Sequence, residues 1–223
     1  MKQKITDYIT IVFDCDGVVL NSNKVKTEAF YQAALPYGKR AADELVKFHV
    51  ENGGVSRYKK FAYFLDSIVP SYSPGLIGPS LNDLLQVYAK KVRNGLIACD
   101  VAESLQSLRD KTIKARWLIV SGGDQLELRD VFSERDLINL FDGGIFGSPD
   151  NKDDILSREL DEANIKKPAL FIGDSKYDYS AAKEAGLDFV YMHKWTEVRE
   201  WEGWCKSESI VAYATLSDLL HVD

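Results

Sequence analysis

The 223-residue sequence predicts an α/β fold: a doubly wound, mostly parallel sheet with a helical insertion near its start. Three observations carry that expectation. Short apolar runs recur along the chain, rich in β-branched and aromatic residues and ending in small or acidic ones; runs that are apolar at every position belong to a sheet buried on both faces. Amphipathic helical patterns fill the gaps between the later runs, and strand–helix alternation builds doubly wound sheets. The first two runs, by contrast, are separated by about a hundred residues, most of which read as helix.

In chain order, the first run is YITIVFD (8–14), leading into DCDG. Helical patterns come next, near 22–35, 40–51, 56–69 and 80–94, punctuated by Pro36, Gly53-Gly54 and SPGLIGP (73–79). Ser80 with Asp83 fits a capping box, and Gly95 fits a helix stop. A fifth helix near 100–110 leads into RWLIVSG (116–122). Then alternate DQLELRDVFSERDL, GGIFGSP (143–149), KDDILSRELDEAN, ALFIGD (169–174), YDYSAAKEAG, LDFVYMH (187–193), WTEVREWEGWCK, SIVAYA (209–214) and a closing turn from Leu216 to His221. Gly186 is the expected stop of the helix before it. Residues 1–20 and 97–223 therefore read as an α/β core, and 21–96 as a helical cap inserted after the first strand. No internal repeat or low-complexity segment interrupts this organisation.

Composition narrows the function. Lysine and arginine total 28 against 34 acidic residues, a formal net charge of -6. Such a chain is a poor general binder of phosphate backbones, so nucleic acid is not the expected partner, while a local basic pocket for a small anion fits. Cys15, Cys99 and Cys205 form no C-x-x-C pair and read as reduced, structural cysteines. The start MKQKITDYITIVFD lacks the apolar stretch of a signal peptide, and no run approaches the roughly 20 residues that span a bilayer. The expectation is a cytoplasmic protein with no membrane partner and an open oligomeric state. Trp195, Trp201 and Trp204, near helical spacing, read as packing against the sheet or a partner.

In an open α/β sheet, ligands bind beyond the carboxyl ends of the strands. The first strand delivers Asp14 and Asp16 there, and the second Ser121 and Gly122. The third is followed by Lys152; the fourth delivers Asp174, with Asp178 a helical turn on. Each alone has a commonplace reading as turn, cap or solvated surface. Together they place several carboxylates at one end of a sheet, where mutual repulsion favours a divalent cation, and hard oxygen ligands suit magnesium. The remaining groups then fit phosphoryl transfer. A lysine, a hydroxyl and backbone N–H groups hold the equatorial charge. One aspartate can attack phosphorus, and a second, two residues on, can protonate the leaving oxygen and later activate water.

The set DCDGV, LIVSGG, GSPDNK and FIGDSKYD resembles the four motifs of the haloacid dehalogenase superfamily, in order and on the expected strands. The resemblance covers the whole chain and points to the phosphatase branch with an α-helical cap, similar to phosphoglycolate phosphatases and β-phosphoglucomutase. It implies a Rossmann-like sheet of order 5-4-1-2-3, with Asp14 and Asp174 at one crevice. It implies that Asp14 is nucleophile and magnesium ligand, and that Asp16 is the general acid/base, its backbone carbonyl also on the metal. Ser121, Gly122 and Lys152 would hold the phosphoryl group, Asp174 would bind Mg2+, and Asp178 would orient the metal's water or Lys152. Cys15, alternating away from the site, reads as buried packing.

The expected activity is hydrolysis of a small phosphomonoester through an aspartyl-phosphate. Asp16 and Asp174 argue against dehalogenation, and the absence of membrane helices argues against a P-type ATPase. Hexose phosphate mutases of the same fold share every core motif, but typically carry a cap histidine where this chain has Lys26. A phospho-acceptor or binding protein is the reading from another class; receivers place their acidic pair before the acceptor, and here the acceptor candidate comes first. Substrate choice lies in the cap. In HVENGGVSRYKKF (49–61), Ser56 can start a helix, and Arg57 with Lys59 or Lys60 can contact an anion or a sugar hydroxyl. The cap also resembles those of bacterial phosphatases found with nucleotide-sugar and surface-polysaccharide enzymes, which points to phosphosugars.

Overall fold

The structure, a computed structural model, describes residues 3–221. Among them, six strands form one parallel sheet: β1 (Thr10–Phe13), β2 (Arg116–Asp124), β3 (Gly144–Ser148), β4 (Ala169–Gly173), β5 (Asp188–Met192) and β6 (Val211–Tyr213), in the order β3-β2-β1-β4-β5-β6. This is the expected order with the sixth run added beside β5. Alternation along β1 explains its uniformly apolar sequence. Ile11 and Phe13 join the core on one face, while Val12 joins Leu118, Val120 and Phe171 on the other. Cys15 continues the Ile11–Phe13 side and is buried there as a free thiol.

The span between β1 and β2 is helical: α1 (Asn23–Ala34), α2 (Lys39–Glu51), α3 (Arg57–Tyr63), α4 (Val69–Tyr72), α5 (Leu81–Ala98) and α6 (Leu105–Lys111). Helix α1 packs against both α2 and α5. The Ser80–Asp83 capping box is present at the start of α5. Gly95 does not stop that helix, which continues to Ala98. A Cβ at Gly95 would lie 2.1 Å from Val25 Cγ1, so this glycine lets α1 and α5 approach rather than ending α5. The single helix expected over 56–69 is split by a π turn, Phe64–Ile68. Pro70 comes just after it, with no N–H to offer the preceding turn. The helix expected from residue 100 begins only at Leu105, because residues 100–102 bond instead to the outgoing chain. Asn21 N–H donates to Asp100 O (2.9 Å) and Ala102 N–H to Val19 O (2.8 Å). The two connections to the helical insertion therefore run side by side.

Between the remaining strands lie α7 (Gln125–Glu134), α8 (Lys152–Asp161), α9 (Lys176–Glu184) and α10 (Trp201–Ser207). Gly186, at φ +66°, comes after the end of α9 as expected. Trp201 stacks on Tyr191 and His193, and Trp204 meets Tyr179 and Tyr191 edge-on, so this cluster packs against β5 and α9. Among the described residues, no helix is long and apolar enough to cross a membrane.

Candidate active site

Strand register assembles the site. Phe13 pairs with Ile119 on one side and Ile172 on the other, so the chain leaves β1 at Asp14 level with Val120 of β2 and with the end of β4. Asp14, Asp174 and Asp178 come together there, all buried, with one carboxylate oxygen of each within 4.8 Å of the others. Gly17 makes the crowding sterically feasible. It sits at φ +74°, and a Cβ there would lie 2.0 Å from Asp174 Oδ2.

One ammonium serves this cluster. Lys152, at the first turn of α8 and fully buried, lies 2.9 Å from Asp14 Oδ1 and bonds Asp178 Oδ1. Asp178 is held in turn: its Oδ2 accepts from the backbone N–H of Asp174 (3.2 Å) and Ser175 (3.0 Å) and from the Ser175 hydroxyl (2.7 Å). Burial, reinforced by Asp178 and Asp16 and only partly offset by Lys152, pushes the Asp14 carboxyl up to about 7. Burial, then the Asp14 and Asp178 charges, push Asp174 well above the usual carboxylate range. Burial works against the Lys152 charge, but Asp14 and Asp178 outweigh it and hold the lysine protonated. Three acids against one cation is a donor set short of positive charge, and its oxygens are of the hard kind that suits magnesium.

Asp16 lies beside this cluster with partners of its own. It accepts from Ser22 Oγ (2.5 Å) and pairs with Lys26 on α1. Burial would raise its carboxyl, but the Lys26 ammonium and these hydrogen bonds outweigh burial and hold it below the usual range. Ser121, buried at the end of β2, accepts from the Gly123 N–H (3.1 Å). Gly122 is covered by the insertion, since a Cβ there would fall 2.0 Å from Gly54 O.

A narrow cavity of about 40 Å³ lies between the insertion and the sheet end, lined by Asp16, Lys26, Arg57 and Gly122 among others. A larger hollow of about 700 Å³, between α2 and the chain following β4 and β5, is lined by none of the clustered carboxylates. Arg57 reaches the cavity but is engaged with α7: it lies 2.7 Å from Glu127 and 3.4 Å from Asp124. Ser56 caps α3 through the Lys59 N–H (3.5 Å) and is not among the cavity's lining residues.

The structure also places residues that sequence reasoning did not single out. Asn23 Nδ2 donates to Asp174 Oδ2 (2.7 Å) and to Trp195 O (2.9 Å), and Thr196 Oγ1 donates to Asp174 O (2.7 Å). Ser175 forms a capping box with Asp178, a local S-x-x-D pattern that was legible in the sequence. Asn23, the first residue of α1, and Thr196, in the chain after β5, lie far from Asp174 or outside its helix in sequence and carry no comparable local signal.

A family model described as haloacid dehalogenase-like hydrolase matches residues 9–186. The chain belongs to this hydrolase family. A phosphorylated carbohydrates phosphatase of Thermotoga maritima is 25% identical over 196 residues, covering 81% of this chain and 83% of that protein. Among solved structures, a protein provisionally assigned as a phosphoglycolate phosphatase from Lactobacillus plantarum superimposes with a TM-score of 0.71 at 18% identity, covering 96% of this chain and 98% of its own. CbbY from Rhodobacter sphaeroides, solved in complex with phosphate, gives a TM-score of 0.65 at 18% identity, covering 86% and 89%.

Proposed function

We propose that this member of the family is a magnesium-dependent phosphatase acting on a small phosphomonoester, a phosphorylated carbohydrate, through an aspartyl-phosphate on Asp14. The observation that carries the reading is the meeting of Asp14, Asp174 and Asp178 within 4.8 Å, with Lys152 bridging Asp14 and Asp178. The Thermotoga relative supports the substrate class. Asp14, Asp174 and the Asp16 backbone carbonyl would hold the magnesium, with Asp178 orienting Lys152. The ion would offset the crowded carboxylates and polarise a phosphoryl oxygen.

The chain's own groups divide the remaining work. Lys152, the Ser121 hydroxyl and the Gly122 N–H hold phosphoryl oxygens where charge develops. An Asp14 oxygen attacks phosphorus as the ester P–O bond breaks; Asp16, which takes up a proton once the bound ester displaces its Lys26 partner, passes that proton to the leaving oxygen. Water then attacks the aspartyl-phosphate, and Asp16 takes its proton. Residues 21–96 serve as a cap over a core of 1–20 and 97–223, and the paired connections at 19–21 and 100–102 support that division. A small phosphorylated metabolite is the partner, and the cytoplasm, where unpaired cysteines stay reduced, is the expected compartment.

The test is hydrolysis of a phosphosugar panel by the purified protein. Magnesium-dependent release of phosphate, lost on chelation and reduced about a thousandfold or more by Asp14→Asn, is the expected outcome. Wild-type rates in that variant would remove Asp14 as nucleophile. Adding a sugar bisphosphate separates hydrolysis from mutase activity.

A further inference from the structure

The cavity above Asp16 is lined by one carboxylate with an unpartnered oxygen and by one buried lysine without a carboxylate partner among the described residues. Lys60, on α3, is almost fully buried, and among the described residues it has no carboxylate partner. Its ammonium bonds His49 Nδ1 (2.7 Å) and His49 O (3.3 Å), which uses two of three hydrogens, and it lies 5.6 Å from the centre of the Phe30 ring. Glu127, on α7, gives Oε2 to Arg57 (2.7 Å), while its Oε1 is buried with no hydrogen-bond partner. Lys60 comes from the insertion and Glu127 from the core, and both line the same narrow cavity as Asp16 and Gly122. Buried polar atoms without partners are rare and costly, so an unpartnered acceptor on Glu127 and a remaining donor on Lys60, on residues that line one cavity, point to a ligand that supplies both partners.

Charge decides what kind of ligand. Asp16, Asp124 and Glu127 line the cavity against Lys26, Arg57 and Lys60, three acids and three bases. Burial, then Lys60 and Lys26, keep His49 far below its usual range and therefore neutral. Burial, then Lys26, also push the Lys60 ammonium down to about 7. With Lys60 charged the cavity is balanced and with Lys60 neutral it is negative, so in either state it has no surplus positive charge for a second anionic group beyond the phosphate. A hydroxyl can accept from Lys60 and donate to Glu127 without adding charge.

We infer that Lys60 and Glu127 form the leaving-group subsite and select phosphate esters of hydroxyl-bearing, uncharged alcohols, polyols and sugars, over esters of acids. The inference rests on the phosphatase reading for where the ester sits. It selects Lys60 from the sequence candidates in the insertion and adds Glu127 from the core.

Three esters of one skeleton test it: glycerol 3-phosphate, n-propyl phosphate without the hydroxyls, and 3-phosphoglycerate with a carboxylate. The wild-type protein is expected to prefer glycerol 3-phosphate over propyl phosphate in kcat/KM by about a hundredfold, and to disfavour 3-phosphoglycerate. Lys60→Met and Glu127→Gln should each cut the glycerol-to-propyl ratio by about tenfold, chiefly through KM. An unchanged ratio in both variants, or a wild-type preference for 3-phosphoglycerate, overturns the inference. Calorimetric titration of Asp14→Asn protein with the same esters reads the preference without turnover. Selective binding of glycerol 3-phosphate with no hydrolysis by wild type keeps the subsite and removes the phosphatase reading; equal or absent binding of all three removes the subsite.

Discussion

Lys152 and Lys60 are both buried lysines, yet their surroundings push them in opposite directions. Lys152 lies between Asp14 and Asp178, and those charges overcome burial. Lys60 faces a histidine, and burial, with Lys26 adding to it, pushes its ammonium down to about 7 from the ordinary 10.5. That depression has a consequence for stability. Between pH 7 and 10.5 the unfolded chain binds the Lys60 proton more tightly than the folded chain does. This residue's contribution therefore makes the protein more stable as pH rises through that window, and least stable below 7. Lys60→Met removes the contribution. The stability of the variant relative to wild type should fall by on the order of 2 kcal/mol between pH 7 and pH 9. Urea denaturation of both proteins at the two pH values measures the difference. A difference that does not change with pH would mean that Lys60 keeps an ordinary pKa in the folded protein.

Elements show which parts of the fold were legible before the structure and why others were not. Five of the six strands lie within the apolar runs and β2 passes the end of its own by two residues, to Asp124; the order of the first five came from the resemblance of the motifs to the haloacid dehalogenase superfamily. Those signals are local: a strand carries its own pattern, and the site residues at its end are its neighbours in sequence. Gly95 shows the limit. Taken locally it is a helix stop, but its reason for being glycine is Val25, seventy residues earlier and on another helix. Lys60 and Glu127 share a cavity although 67 residues and different elements separate them, and nothing local announces that the Glu127 oxygen lacks a donor. The Gly95 contact has a distinctive mutational signature. At an open helix position Gly→Ala gains about 1 kcal/mol. Here the added methyl falls 2.1 Å from Val25 Cγ1, and overpacking costs about 1–3 kcal/mol. Gly95→Ala should therefore destabilise. Combined with Val25→Ala it should destabilise less than the two single changes summed, by about 1 kcal/mol or more. Additive losses in a thermodynamic cycle would mean that the two helices do not meet at this point.

On the scale of the whole molecule, the insertion is drawn onto the core by contacts that also wall the cavity. Gly54 O lies against Gly122, Tyr58 OH donates to Asp124 Oδ2 (2.7 Å), and on the outer side Arg93 reaches Asp130 (2.9 Å) and Glu134 (2.7 Å). The most buried of these links is Arg57 with Glu127. The outer Arg93 pairs are partly exposed and screened by solvent, so they add little. Removing one partner of a buried pair instead leaves a charge without compensation, at about 3–5 kcal/mol. Arg57→Ala does this to Glu127. Burial already raises the Glu127 carboxyl above its usual range despite Arg57, and loss of the guanidinium raises it further. A carboxyl whose folded pKa lies above its unfolded value takes up a proton on folding as pH falls, so acid relieves the unpaired charge and higher pH restores it. The destabilisation by Arg57→Ala should therefore be larger at pH 8 than at pH 5. Denaturant titrations of wild type and variant at both values give the comparison. Adding Glu127→Gln should reduce the pH dependence, because the group that titrates is gone. A loss equal at the two pH values would show that Glu127 stays ionised without Arg57, held by solvent reaching the cavity rather than by the closure of the insertion over it.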